Sequence, residues 1–245
     1  MLKNIAKKVL PPYLVRLIRE FRINYCDSSA IKSYSQEGED LILLRILGYK
    51  RSGFYVDVGA HHPKRFSNTY LFYKLGWRGI NIDPTPGSMK LFNKFRPRDI
   101  NLEVGVSDSP GFLKFYMFNE PALNTFDEEL ARERDGKNRY RIVKVEKVKL
   151  DTLENILDKH LPKNTEIDFL SVDVEGLDFQ VLKSNNWDKY KPKVVIVEIL
   201  RKPLEELLDD EITLFMRKNG YKLFAKTLNS VFFSDEDFLY HKFGM

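Results

Sequence analysis

The sequence predicts an α/β domain built on a doubly wound, mostly parallel sheet, and three observations carry that expectation. Strand-like and helix-like stretches alternate almost throughout the chain. The strand-like runs are short and apolar without polar alternation, as in strands covered by helices on both faces. Several end in or beside a carboxylate: Asp57, Asp83, Asp108 (one residue past its run), Asp173 and Glu198. In a parallel sheet such ends share one edge, and open α/β sheets bind ligands there. Any single acid at such a place is equally well explained as a turn former or helix cap, so the signal is the recurrence.

Residues 1–33 read as a separate basic arm and residues 34–245 as the domain. In the arm, Leu2, Ile5, Ala6, Val9 and Leu10 recur at helical spacing, with Lys3, Lys7 and Lys8 off that face. Pro11-Pro12 interrupts the pattern. Leu14, Leu17, Ile18 and Phe21 then resume it opposite Arg16, Arg19 and Arg22. An apolar face backed by a basic one fits a helix lying on a membrane surface, and equally short helices packed on the domain or a partner chain.

Within the domain, Ser35 to Leu47 has acids in its first turn and an apolar face after it, which predicts a helix. A strand over Phe54 to Val56 leads into Asp57, a helix over Phe66 to Leu75 stops at Gly76, and a second strand over Gly79 to Ile82 ends in Asp83-Pro84. The separation of Asp57 from Asp83 suits one strand–helix–strand unit. A helix over Ser88 to Phe95 and a strand over Asn101 to Val106, ending in Ser107-Asp108, follow. Phe112 to Phe118 and Arg141 to Leu150 read as added strands around a polar insert, residues 119–140, too poor in apolar material for its own core and so a lid or substrate loop. Asp151 is expected to cap a helix over Thr152 to His160. A strand over Ile167 to Val172 runs into Asp173-Val174-Glu175-Gly176 and a helix over Asp178 to Leu182, and one over Lys193 to Val197 ends in Glu198. A helix over Glu205 to Lys218, closed by Asn219-Gly220, precedes a final strand pair, Tyr221 to Ala225 and Val231 to Phe233.

Composition bounds the function. Hydrophobic residues make up 43% and charged residues 31% of the 245, enough for a large core and an ordinary polar surface. The net charge of +5 resides in the arm, so the remainder is balanced and lacks the basic stripe of a nucleic-acid binder. Cys26 is the only cysteine, which excludes an internal disulfide or a cysteine-based zinc site and fits a reducing, cytoplasmic compartment. No apolar run reaches the roughly 18 residues of a spanning helix, and Lys7, Lys8, Pro11 and Pro12 break any signal-peptide core.

The stretch from Gly53 to Pro63, GFYVDVGAHHP, is the most telling. A dinucleotide fingerprint needs later glycines where the pyrophosphate approaches, but His61, His62 and Pro63 stand there and Asp57 would repel a phosphate. The turn suits a nucleoside bearing a cationic or amino group. Either histidine could take a proton from a substrate hydroxyl near neutral pH, with helix capping as the alternative. Trp77 and Phe72 read as packing residues, and Phe126 as an aromatic able to stack on a sugar ring.

Together, DVGAHHP, SNTYLFYKLGWRGINIDPTP, GVSDSPG, LDTL, IDFLSVDVEGLDFQVLKS and VVIVEI resemble the FkbM-type S-adenosylmethionine-dependent methyltransferases, from about Tyr34 to Glu198. The resemblance implies a Rossmann-like, seven-stranded sheet of the class I methyltransferase type with a terminal antiparallel strand. It implies that Asp57, Gly59 and Ala60 face the methionine portion of S-adenosylmethionine, with His61 and Pro84 beside it. Asp83 would accept from both ribose hydroxyls, Ser107 and Asp108 would lie by the adenine, and Gln36 and Asp40 would touch or close over the cofactor. His61-His62-Pro63 departs from the commoner Ala-Asn-x-Gly continuation. The acceptor implied is a sugar, glycan or similar hydroxylated metabolite. A sugar hydroxyl is a poor nucleophile, so Asp173, Glu175, Glu198 or His62 is expected to act on its proton, or Asp173 and Glu198 to hold a divalent cation such as Mg2+. Two alternatives stand beside this: a nucleic-acid methyltransferase, disfavoured because DVEG stands where Asn/Asp-Pro-Pro-aromatic is common, and a non-catalytic membrane-associated adaptor retaining the fold.

Overall fold

A computed structural model describes residues 10–26, 30–200 and 202–244. Contacts divide the chain into two compact units, Met1–Ser33 and Tyr34–Met245. In the first, Pro11 ends the preceding chain and Pro12 opens α1 (Pro12–Tyr25), where a missing N–H costs nothing. Tyr13, Leu17, Ile18, Phe21 and Tyr25 of α1 are exposed. The helical pattern expected from Leu2 to Val9 lies outside the described residues.

The second unit begins with α2 (Glu39–Ile46), β1 (Phe54–Val58), α3 (Tyr70–Leu75), β2 (Arg78–Asp83), α4 (Met89–Phe95) and β3 (Ile100–Glu103). There follow β4 (Gly105–Val106), β5 (Gly111–Phe118), a 3-10 turn (Pro121–Leu123), α5 (Glu128–Arg134) and β6 (Ile142–Asp151). The chain continues through α6 (Leu153–His160), β7 (Phe169–Val172), α7 (Asp178–Lys183) and β8 (Val194–Glu198). It closes with α8 (Leu204–Leu207), α9 (Glu211–Lys218), β9 (Tyr221–Lys226), β10 (Ser230–Asp235) and α10 (Glu236–Phe243).

A seven-stranded sheet runs in the order β3-β2-β1-β7-β8-β10-β9. The pairs from β3 to β8 are parallel, and β10 is antiparallel to both β8 and β9. Apolar side chains fill both faces. Leu153, Ile156, Val181, Leu182 and Met216 pack on one, and Leu43, Ile46, Leu71, Phe72 and Trp77 on the other. Each fully buried side chain of this size contributes about 1.5–3 kcal/mol of transfer free energy, which is why these strands carry almost no polar alternation. The strand order reverses between β1 and β7, the switch point at which such sheets open a ligand crevice. Register sharpens this. Ile82, Val58, Val172 and Val197 form one row across β2, β1, β7 and β8, so Asp83, Gly59, Asp173 and Glu198 all stand one residue beyond it.

Several local expectations are corrected. The first domain helix starts at Glu39, because Gly38 at φ 88° turns the chain sharply and Ser35 instead bonds Asp40. The run from Asn101 to Val106 splits: β3 stays in the main sheet, while β4 joins β6 and β5 in a second, three-stranded sheet. Gly105 permits the crossing, since a Cβ there would lie 2.4 Å from Leu150 and 2.8 Å from Phe126. Thr152, not Asp151, caps α6 by accepting from the Asn155 N–H. The stretch after Pro203 forms two helices because the Asp210 side chain accepts from the Ile212 N–H and starts α9 afresh. Helix α10 was not expected, although Asp235 at its cap, Glu236 and Asp237 in its first turn and Gly244 just past its end are readable signals.

Candidate active site

A cavity of about 360 Å³ opens at the carboxyl edge of β1, β2, β7 and β8. One wall is the end of β2, where the buried Asp83 carboxylate accepts from the His61 N–H at 2.9 Å and the Thr85 N–H at 2.8 Å. The two amides fix its orientation and leave further lone pairs free. Burial pushes its pKa up, and the amides of Thr85 and His61 oppose that. His61 sits at φ 50°, and its Nε2 is buried with no hydrogen-bond partner.

The opposite wall is acidic. Oxygens of Asp173, Glu175 and Glu198 all lie within 4.8 Å of one another. Asp173 lines the cavity with its side chain exposed. Desolvation by the protein packed around it raises its pKa well above the ordinary carboxylate value, and Glu198, Glu175, Asp178 and Asp57 add to the rise. Burial pushes Glu198 up to about 8, with Glu175 and Asp178 contributing. Burial also raises Glu175, against which Arg134 works by ion pairing at 2.6 Å. The turn is stiff. Asp178 accepts from the N–H groups of Val174 and Gly176, and Gly59 must be glycine because a Cβ there would lie 1.7 Å from the Asp173 carbonyl oxygen. The remaining walls are apolar or belong to the insert: Val104, Val106 and Phe115 on one side, Leu123, Phe126 and Tyr140 on another.

Gln36, Gly59, His61, Asp83, Pro84, Asp173, Glu175 and Glu198 thus line one cavity. Other expected site residues do not. Asp57 accepts from Thr69 Oγ1 at 2.7 Å inside the buried network of Arg96, because it lies within β1 instead of beyond it. Ala60 packs on Met89 and Phe92. The Gly59 and Ala60 amides both donate to the Ile82 carbonyl, so neither is free for a ligand. Ser107 and Asp108 follow β4 into the second sheet, the Ser107 N–H bonding the Asp151 carbonyl and Asp108 facing solvent. The acid ending the third strand is Glu103, which accepts from the Gly87 N–H. His62 closes a turn instead, its Nδ1 accepting from the Lys64 and Arg65 N–H groups, and it is not part of the cavity lining. Asp40 likewise accepts from Tyr34 N–H and Ser35 Oγ.

Sequence reading missed Arg134 and Thr125, which bond the side chain and carbonyl of Glu175, and the Arg65–Glu120 pair at the cavity rim. The signal for Arg134 was weak: one cation in a polar insert whose docking is long-range. Among the described residues no helix is long and apolar enough to cross a membrane.

The model of the methyltransferase FkbM domain matches residues 57–223. No curated protein matches the chain. Among solved structures, similarity is found to a precorrin-6y C5,15-methyltransferase from Geobacter metallireducens GS-15, at 14% identity over 83% of this chain and 90% of that one, with a TM-score of 0.40. The Burkholderia thailandensis 1,6-didemethyltoxoflavin-N1-methyltransferase, solved with 1,6-didemethyltoxoflavin and S-adenosylhomocysteine, is similar at 12% identity over 92% and 89%, with a TM-score of 0.40. A methyltransferase from Geobacter sulfurreducens is similar at 11% identity over 96% of each chain, with a TM-score of 0.37. Likeness at that level carries no argument, and the family rests on the domain match, which spans more than half of the sequence and contains the acid-lined turns of β2, β7 and β8. The chain belongs to the FkbM methyltransferase family.

Proposed function

We propose that this protein transfers a methyl group from S-adenosylmethionine to a hydroxyl oxygen of a sugar, glycan or similar hydroxylated metabolite. The observation that carries the reading is the convergence of Asp173, Glu175 and Glu198 in the cavity that also contains Asp83. The residues fit the donor. Asp83, oriented by two amides, suits a pair of ribose hydroxyls, and Val104, Val106 and Phe115 offer a flat apolar slot for a base. The unpartnered His61 Nε2 is a ready contact for a polar group, and the carboxylates complement a positive charge. When bound, S-adenosylmethionine supplies an electrophilic methyl group on a sulfonium.

The chain's own part is to position and deprotonate. Holding the acceptor oxygen in line accounts for much of the rate. Asp173 or Glu198, in its ionised form, would accept the hydroxyl proton as the O–C bond forms and the donor's C–S bond breaks, and its raised pKa makes that form a stronger base. The same carboxylates have the oxygen chemistry to hold a hard cation such as Mg2+, which would lower the hydroxyl pKa instead. Aromatic faces at Phe66, Phe126 and Tyr140 beside carboxylates support a sugar-like acceptor. A phosphodiester would meet repulsion there. Residues 119–140 serve as the acceptor-side lid of a domain spanning 34–245, and the arm of residues 1–33 rests on the cytoplasmic membrane surface through the exposed apolar face of α1.

Calorimetry should show S-adenosylhomocysteine binding to the wild type and at least about tenfold weaker binding to Asp83→Ala, the loss of two charge-assisted hydrogen bonds; unchanged affinity would refute the donor site. A screen over nucleotide sugars and oligosaccharides, with and without EDTA, separates direct base from cation. Transfer to a nitrogen-bearing acceptor in place of every hydroxyl substrate would overturn the acceptor class. Liposome flotation of the full chain against one starting at Asp27 tests the arm, and equal flotation would remove that role.

A further inference from the structure

The insert enters the acid cluster through one cation. Arg134, at the end of α5, pairs with Glu175 at 2.6 Å, and both side chains are about four-fifths buried, at 18% and 19% exposure. A second nitrogen of the same guanidinium donates to the Leu123 carbonyl, part of the cavity wall. Thr125 donates its hydroxyl to the Glu175 carbonyl at 2.6 Å and accepts the Asp127 N–H at 2.9 Å. Thr125 is itself stitched to β5 through a two-bond bridge with Tyr116. Glu175 is held at φ 54° and Gly176 at φ 113°, and a Cβ on Gly176 would stand 3.4 Å from that of Asp127. A non-glycine residue persists in the left-handed region only where its surroundings over-determine it. Here the surroundings are the insert.

We propose that Arg134 is a positioning residue of the transfer site: by pairing with Glu175 it removes one negative charge from the cluster, leaves Asp173 and Glu198 as the working pair, and makes that state conditional on the insert being seated. This rests on the donor site described above. Glu175 and Arg134 act as a neutral unit in the cavity wall, so Glu175 adds no charge of its own to whatever Asp173 and Glu198 present to the donor's cationic centre. An acceptor that displaces the insert also releases Glu175 into the site.

The test compares two donor analogues by calorimetry: S-adenosylhomocysteine, whose sulfur is neutral, and sinefungin, which carries an amine in place of the methylsulfonium. In Arg134→Gln the preference for sinefungin over S-adenosylhomocysteine should rise on the order of tenfold, as expected for one added charge at short range in a half-buried site. Arg134→Lys, which keeps the cation, should stay near the wild-type ratio, and Arg134→Gln/Glu175→Gln, which removes the pair as a unit, should return to it within about twofold. A merely structural role would weaken both analogues in parallel. An unchanged ratio in Arg134→Gln, or a ratio in the double variant that departs as far as in the single one, overturns the proposal. Failure of the wild type to bind either analogue refutes the donor site itself, and this inference with it; binding with the wrong ratio pattern refutes only the role of Arg134.

Discussion

Two carboxylate-rich regions lie on the same sheet and obey opposite rules. Beneath the edge, Asp57 and Asp99 share the fully buried Arg96, whose guanidinium donates to Asp99, Thr69 and the Tyr55 hydroxyl at 2.8–2.9 Å. Asp99 accepts in addition from Gly79 N–H, Asn81 and Tyr55. Nearly every donor has an acceptor, and the cation bonds Asp99 directly and reaches Asp57 through Thr69. At the edge, Arg134 is the one cation paired with Asp173, Glu175 and Glu198 among the described residues, and two carboxyl groups are left facing the cavity with raised pKa values. Buried charge that is matched belongs to the scaffold. Charge left unmatched at a concave edge costs stability and has to be explained by a ligand.

The comparison breaks first at Arg96. Arg96→Met should destabilise the protein by about 3–5 kcal/mol, since it strands two buried acids and their partners; chemical denaturation would measure it. A loss under about 1 kcal/mol would mean that the matched region is not scaffold. Next comes the joint between the regions. Gly59→Ala should cost about 2–4 kcal/mol, combining left-handed strain with a main-chain displacement, because the new Cβ meets the Asp173 carbonyl. It should also weaken donor binding, which a change confined to packing far from the cavity would not do.

These two residues also show what the sequence made legible. The alternation of buried strands and helices predicted the sheet, and the register then brought Asp83, Asp173 and Glu198 to one row. That part of the site follows from strand length alone. The motif places Asp57 at a strand end, while β1 runs one residue further to Val58, and the Arg96 network it joins through Thr69 lies beyond the next strand and helix, out of reach of any local pattern. Ser107 and Asp108 sit apart from the expected sheet edge for a similar reason: a strand-like run cannot show that the chain changes sheets at Val104. Arg134 is the extreme case, being meaningful only once α5 docks on the turn after β7.

At the unmatched region the sign reverses. Glu198 has its pKa raised from the ordinary 4.5 to about 8 in the folded protein, so the folded state holds the proton more tightly than the unfolded chain. Stability is then fully present below the unfolded value and is lost as pH rises through about 8. The ligand-free protein should show a melting temperature that falls across this window. Glu198→Gln should flatten the fall and raise the melting temperature at pH 8 by on the order of 2–4 °C, the response of a chain this size to about 1 kcal/mol, while lowering transfer. A carboxyl whose removal stabilises the fold and lowers activity is the opposite of Asp99, whose removal should only unfold.

The smallest effect belongs to the rim. Arg65 and Glu120 face each other through two contacts of 3.1 and 3.3 Å, with 48% and 31% of their side chains exposed. They are matched like the scaffold acids yet lie where water screens them, so Arg65→Ala should change stability by no more than about 0.2–1 kcal/mol, less in high salt. Both line the cavity, and the pair joins the turn after β1 to the start of the insert, which predicts a kinetic role in donor entry and exit on the proposed reading of the site. Arg65→Ala should therefore speed S-adenosylhomocysteine association and dissociation by a similar factor in stopped-flow, leaving affinity within about twofold. If instead affinity fell as far as in Asp83→Ala, charge matching at the rim would be part of the binding site, and the division between matched scaffold and unmatched site would have to be redrawn there.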